Sequence, residues 1–191
     1  MTYTLDLRAF TDSISDRALT QLCIENPDLK FEIDKEGKLI VMSPTGSQSG
    51  KFNLNLAFQV ELWNRRTKLG VVFDSSTGFK LSNGAIRSPD VSWIAIARWN
   101  SLTEGQKRGF APINPDFVIE LMSPTDDLST TQQKMMEYIN CGVKLGWLIN
   151  PNAREVEIYR LDLDCQAIAN LSSLFGEDVL PGLTVDLSEI F

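Results

Sequence analysis

Phe117-Val118-Ile119-Glu120-Leu121-Met122 constrains the fold of this chain more than any other stretch. A short apolar run of this kind reads as a β-strand covered on both faces. Such a strand needs one layer above it and another below, so helices or further strands must pack on each side. Glu120 interrupts the run. A carboxylate there is costly to bury unless a metal, a lysine or an amide compensates it. One segment thus asks for a layered α/β architecture and for a polar partner inside it.

The flanking segments supply the layers. Ser15 to Glu25 reads as a helix, with Ser15 as its cap, Leu19, Leu22 and Cys23 as an apolar stripe, and Asn26-Pro27 as its stop. Phe31–Ile33 and Leu39–Met42 flank the turn Asp34-Lys35-Glu36-Gly37, which predicts a β-hairpin. Ser43 to Gly50 is turn-rich. Lys51 to Lys68 is the clearest long helix, ended by Gly70. Phe52, Leu56, Val60 and Trp63 share one side of it and Leu54, Phe58 and Leu62 lie roughly opposite, a pattern expected of a helix buried on both sides. Strands are expected at Val71–Asp74, Gly78–Leu81, Val91–Ile96, Leu145–Ile149 and Val156–Arg160, with helices at Ser101–Arg108 and Asp126–Asn140. The mixture defines an α/β (α+β mixed) chain, and 191 residues suit a single domain.

Composition narrows the chemistry. The chain has no histidine, which removes Ser-His-Asp and Cys-His mechanisms and histidine-ligated zinc. Cys23, Cys141 and Cys165 have no paired spacing, so neither a disulfide framework nor a zinc cluster is expected, and a reducing cytoplasm fits. No signal peptide is expected in Met1–Phe10, and no apolar stretch is long enough for a membrane span. Net charge is −7, unevenly spread. Residues 51–87 carry Lys51, Arg65, Arg66, Lys68, Lys80 and Arg87 against Glu61 and Asp74, a net +4, whereas residues 154–191 carry net −6. The acidic whole repels nucleic acid, and residues 51–87 are the one segment suited to meeting a phosphate backbone.

Two carboxylates stand out: Glu120, and Asp90, which opens the apolar run Val91-Ser92-Trp93-Ile94 after Ser88-Pro89. Carboxylates on neighbouring strands can hold Mg²⁺ through oxygen ligands, and a metal so held lowers the pKa of a bound water and stabilises charge on a phosphate. Lys134 is the candidate ammonium beside them. It shares a helical face with Tyr138 at i, i+4, so an inward Tyr138 draws it toward the sheet; the competing reading pairs it with Glu137 on the surface.

Several ordered segments carry a family resemblance. They are Met42-Ser43-Pro44-Thr45-Gly46, Phe73-Asp74-Ser75-Ser76-Thr77-Gly78-Phe79 and Arg87-Ser88-Pro89-Asp90-Val91-Ser92-Trp93. Further on come Pro115-Asp116-Phe117-Val118-Ile119-Glu120-Leu121, Lys134-Met135-Met136-Glu137-Tyr138 and Gly146-Trp147-Leu148-Ile149-Asn150-Pro151. Pro89-Asp90 followed by Glu120 thirty residues on resembles the PD-(D/E)XK nuclease superfamily, and the whole set resembles its Uma-two branch of restriction-endonuclease-like proteins. The resemblance implies a restriction-endonuclease-like core with a central mixed sheet flanked by helices. It spans residues 31–160, with a helical extension over 1–30 and a C-terminal extension over 161–191. It also implies Asp90 and Glu120 as ligands of Mg²⁺ (or Mn²⁺). Met122 stands where the superfamily motif has its lysine, so the resemblance assigns that role to Lys134. Asn53 and Glu61 from the long helix and Glu32 from the hairpin are possible supporting residues. DNA is then the expected partner. A homodimer is expected too, since restriction-type nucleases often act on two-fold sites and the second apolar side of the long helix suits an isologous contact.

Three readings stay open on the sequence. One is a metal-dependent endonuclease, and the second a weakly active or inactive nucleic-acid-binding or regulatory protein on the same scaffold. The third is a structural role, with both carboxylates as satisfied polar groups.

Overall fold

A computed structural model describes residues 2–11 and 14–191; residues 1, 12 and 13 of the expected N-terminal extension lie outside that description. Strand β1 (Thr2–Leu5) precedes helix α1 (Asp16–Glu25), the hairpin β2 (Lys30–Ile33) and β3 (Leu39–Met42), and the long helix α2 (Ser47–Thr67). Then come β4 (Gly70–Asp74), β5 (Phe79–Lys80), β6 (Ile86–Arg87), β7 (Val91–Ala95), α3 (Ile96–Asn100), α4 (Glu104–Lys107) and β8 (Phe117–Leu121). Helix α5 (Leu128–Asn140), β9 (Leu145–Asn150), β10 (Glu155–Arg160), β11 (Gln166–Ala169), β12 (Ser173–Phe175) and β13 (Thr184–Asp186) complete the chain. No helix among the described residues is long and apolar enough to cross a membrane.

The central sheet has six strands in the order β11-β10-β9-β8-β7-β4. It is mixed: β8 and β9 run parallel, joined through α5, and the other pairs are antiparallel. All five residues of β8 are buried, as its unbroken apolar character demands. Alternation sends Phe117, Ile119 and Leu121 into a cluster with Phe52, Leu56, Val60 and Trp63 of α2. It sends Val118 and Met122 into the opposite cluster, with Met135, Tyr138 and Ile139 of α5. The sheet is thus flanked by helices on both faces.

A second, antiparallel sheet has the order β1-β3-β2-β6-β5. Its hairpin turn is made by Asp34, whose carboxylate accepts the Lys38 amide at 2.8 Å, and by Gly37 at φ +81°, a left-handed position suited to glycine. Leu19 of α1 packs with Phe31, Ile33, Leu39 and Ile86 beneath this sheet. The segment expected to be a helical extension opens instead with β1, whose Thr2-Tyr3-Thr4 is β-favouring and pairs along β3.

Local chemistry shifts several boundaries. Helix α2 starts at Ser47, inside the stretch expected to be a loop, and ends at Lys68, whose φ of 57° supplies the left-handed cap expected of Gly70. Gly70 already belongs to β4, where a Cβ would meet the Trp93 ring at 2.3 Å. The Asn64 side chain ties this corner, bonding both the N–H and C=O of Gly70 and accepting the Trp93 indole N–H at 3.0 Å.

Residues 161–191 are knitted into the core. β11 extends the central sheet, and Leu174, Leu180, Leu183, Val185, Leu187 and Ile190 pack in the same cluster as α2. Gln59 of α2 brackets Asp186 with two hydrogen bonds, and Trp63 donates to the Pro181 carbonyl at 3.1 Å. The second apolar side of α2 is left uncovered within the one chain described: Leu54 and Phe58 are 72% and 61% exposed and Leu62 is 37% exposed. Among the described residues, the C-terminal segment and the central sheet both pack on the other side of the helix.

Candidate active site

The two sheets meet at a cleft of about 2200 Å³. The chain crosses from β6 of the smaller sheet to β7 of the larger through Ser88-Pro89-Asp90, which sets Asp90 at the junction. Its carboxylate accepts the Asn53 side-chain N–H at 3.1 Å on Oδ1 and the Leu121 backbone N–H at 2.9 Å on Oδ2. Asp90 therefore sits against the residue next to Glu120.

Glu120 projects from β8 toward α5. Its Oε1 accepts the Tyr138 hydroxyl at 2.8 Å and lies 2.9 Å from the Lys134 Nζ. Tyr138 is fully buried and one helical turn from Lys134, so its inward packing brings the ammonium to the sheet. Lys134 does not pair with Glu137. Its second partner is Oε1 of Glu32 on β2, also at 2.9 Å. Glu32 accepts the Ser88 backbone N–H at 2.9 Å on the same oxygen and Arg87 Nη1 at 3.1 Å on the other. Arg87 in turn donates Nε to Glu137 at 2.6 Å, and Asn83 donates to the other oxygen of Glu137 at 3.0 Å.

Of the residues singled out in sequence, the fold brings together Asp90, Glu120, Lys134, Asn53 and Glu32 on the cleft wall. Glu61 is not among them: it forms an exposed i, i+4 pair with Arg65 at 2.7 Å. Arg87 and Glu137 are part of the network but escaped sequence reasoning. Arg87 stands fifty residues from Glu137 and looks like any basic residue before a Ser-Pro turn; only the placement of β6 beside α5 joins them.

The charges respond to this crowding. Burial pushes the Glu120 carboxyl up, the neighbouring Asp90 and Glu32 charges push the same way, and Lys134 only partly opposes them. Burial would also raise Glu32, but Lys134, Arg87 and Lys30 outweigh it and hold the carboxyl near 2, below its ordinary 4.5. Burial would lower Lys134, yet Glu120 and Glu32 raise it further, so it stays an ammonium. The depressed Glu32 value has a direct consequence for stability. Its contribution is complete above the ordinary carboxylate pKa and is lost as pH falls from about 4.5 through about 2. Thermal melts across that window are expected to show the gap between wild type and Glu32→Gln shrinking as pH drops; a constant gap would contradict the pairing.

Glu32, Glu120, Glu137 and Asp90 face Arg87, Lys134 and, without direct contact, Lys30, which leaves an excess of negative charge. The donors are all oxygens, and Glu120 Oε2 has no hydrogen-bond partner among the described residues. That donor chemistry fits a hard divalent cation. Among the described residues no three of Asp, Glu, His or Cys gather into a metal-binding group. Two carboxylates are the usual protein share for Mg²⁺, which keeps waters and takes substrate oxygens for the rest. Asp90 and Glu120 are the residues that would hold it.

The basic segment expected to meet a phosphate backbone is dispersed. Lys51 pairs with Glu189, Lys80 with Asp16 and Arg65 with Glu61, and Arg87 is buried. Arg66 lies thirteen residues along α2 from Asn53, about 20 Å away at 1.5 Å per residue. The cationic side chains lining the cleft are Lys30, Lys35, Arg87 and Lys134, and carboxylates outnumber them more than two to one.

The layered mixed sheet, with carboxylates at the junction of β7 and β8 and a lysine reaching in from α5, belongs to the restriction-endonuclease-like fold class. A family model described as "Putative restriction endonuclease" matches residues 17–188, and the chain belongs to that family, Uma2. Among solved structures it is similar to one described as "a putative nuclease belonging to DUF820" from Anabaena variabilis. The TM-score is 0.71 at 17% identity, covering 84% of this chain and 89% of the other. No curated protein matches the chain.

Proposed function

We propose that the protein is a divalent-metal-dependent endonuclease of the PD-(D/E)XK type that hydrolyses phosphodiester bonds in DNA. The convergence of Asp90, Glu120 and Lys134 on one cleft wall carries this reading. Mg²⁺ or Mn²⁺ would supply Lewis-acid stabilisation of charge on a phosphoryl oxygen. Asp90 and Glu120 are the carboxylates suited to hold it. Asn53 and the Leu121 amide orient Asp90, and Tyr138 orients Glu120. Lys134, kept as an ammonium, offsets the negative charge that develops as the phosphoryl group is attacked. Met122 lines the same cleft but carries no charge, and it packs with the apolar side chains around α5.

The test is cleavage of mixed DNA substrates with Mg²⁺, with Mn²⁺ and with chelator, for wild type and Asp90→Ala. Metal-dependent cleavage by wild type and none by the variant is expected; equal cleavage by both proteins would overturn the site. Met122 in place of the motif's lysine favours a second reading, a nucleic-acid-binding protein with little or no cleavage. Binding without cleavage in any metal would establish it.

A homodimer is part of the proposal. The exposed Leu54, Phe58 and Leu62 stripe repeats at i, i+4 and i+8 on α2 and suits an isologous contact. Light scattering is expected to give twice the chain mass for wild type and the chain mass for Phe58→Asp. A wild-type monomer at high concentration would count against it.

A further inference from the structure

We infer that Glu32 is the positioning counter-ion of Lys134: when a divalent cation joins Asp90 and Glu120, Glu120 releases the ammonium and Glu32 retains it at the cleft. The inference rests on the metal-dependent reading above. Lys134 Nζ stands 2.9 Å from both Glu120 Oε1 and Glu32 Oε1, so it is shared between a carboxylate suited to metal and one that is not. A cation on Glu120 repels an ammonium at that distance, and the ammonium needs a second anion within reach. Glu32 is the anion that stays. Its side chain is 2% exposed and it is pinned by the Ser88 amide and by Arg87, which is itself anchored on Glu137. The smaller sheet thereby does more than cover the core, for β2 and β6 deliver the group that keeps Lys134 in place once Glu120 is engaged.

Removing Glu32 leaves Lys134 with Glu120 alone, so cation and ammonium compete for one carboxylate. The experiment is calorimetric titration of Mn²⁺ into the full chain without substrate. Lys134→Met is expected to tighten Mn²⁺ binding. Glu32→Gln is expected to weaken it by about tenfold in the wild-type background and by less than about twofold beside Lys134→Met, the signature of a coupled pair. Glu61→Gln, which removes a carboxylate paired with exposed Arg65 outside the cleft, is expected to leave Mn²⁺ affinity unchanged. If Glu32→Gln does not fold, Glu32→Asp keeps the charge and carries the same test, with a smaller weakening that also vanishes beside Lys134→Met. An equal weakening in both backgrounds, or none in either, would overturn the inference. Unchanged Mn²⁺ binding in Asp90→Asn and Glu120→Gln would instead overturn the metal site on which it rests.

Discussion

Glu120→Gln is expected to slow phosphodiester cleavage by at least about a thousandfold, equivalent to about 4 kcal/mol of transition-state stabilisation, while melting at or above the wild-type temperature. The two effects have one origin. Burial and the neighbouring Asp90 and Glu32 raise the Glu120 carboxyl, so the fold disfavours its ionised form. A group raised in this way contributes stability only below its unfolded pKa and loses it as pH rises through the folded value. The charge on Glu120, when present, is therefore a burden on the fold, kept for what the carboxylate can bind. Glutamine preserves the shape and an oxygen for Tyr138, and Lys134 keeps Glu32 as its partner. The gain in stability is expected to be larger at pH 8 than at pH 5. Single-turnover cleavage at saturating Mg²⁺, paired with thermal melts at both values, tests this. A variant that still cleaves, or that melts well below wild type, would show that Glu120 serves the fold rather than the reaction.

What could be read in advance divides along a physical line. Features set by local pattern were legible. Ser15 caps α1, the Asp34–Gly37 turn closes its hairpin, and β8 is buried on both faces because its run is apolar apart from Glu120. Glu120 stood out for the same reason, since its cost of burial is visible from its neighbours. The approach of Lys134 to the sheet followed from its one-turn spacing to Tyr138. Features set by packing between distant segments were not legible. The Glu32–Arg87–Glu137 chain joins β2 and β6 of the smaller sheet to α5, and no local pattern announces it. Glu61 stands beside Asn53 as a candidate on α2, yet it pairs with exposed Arg65, because the cleft touches just the first turns of that helix. The basic segment 51–87 behaves similarly: its cations are close in sequence but scatter over α2 and the smaller sheet, with Arg87 buried. The apolar residues of 161–191 gave no strand rhythm, although they complete the cluster under α2.

Arg87→Met is expected to cost about 3–5 kcal/mol, the range for removing one partner of a buried ion pair. For a chain of this size that corresponds to a fall of about 10 °C in melting temperature. Arg87 is 8% exposed and bridges β2 to α5 by holding Glu32 and Glu137 together. Methionine matches its length but leaves two buried carboxylates short of charge compensation. Ser88 N and Lys134 still serve Glu32, and Asn83 still serves Glu137, which places the expected cost toward the lower end of the range. Arg65→Met is the matched control: it also breaks an arginine–glutamate pair at 2.7 Å, but with the arginine side chain 76% exposed, and is expected to change stability by less than about 0.5 kcal/mol. The deficit of Arg87→Met should shrink as pH falls below about 4.5, because protonation of Glu32 removes a charge that lacks its partner. If the two arginine variants melt alike, the network is not what joins the smaller sheet to the site. The delivery of Glu32 to Lys134 would then depend on the apolar packing of Phe31 and Ile33 alone.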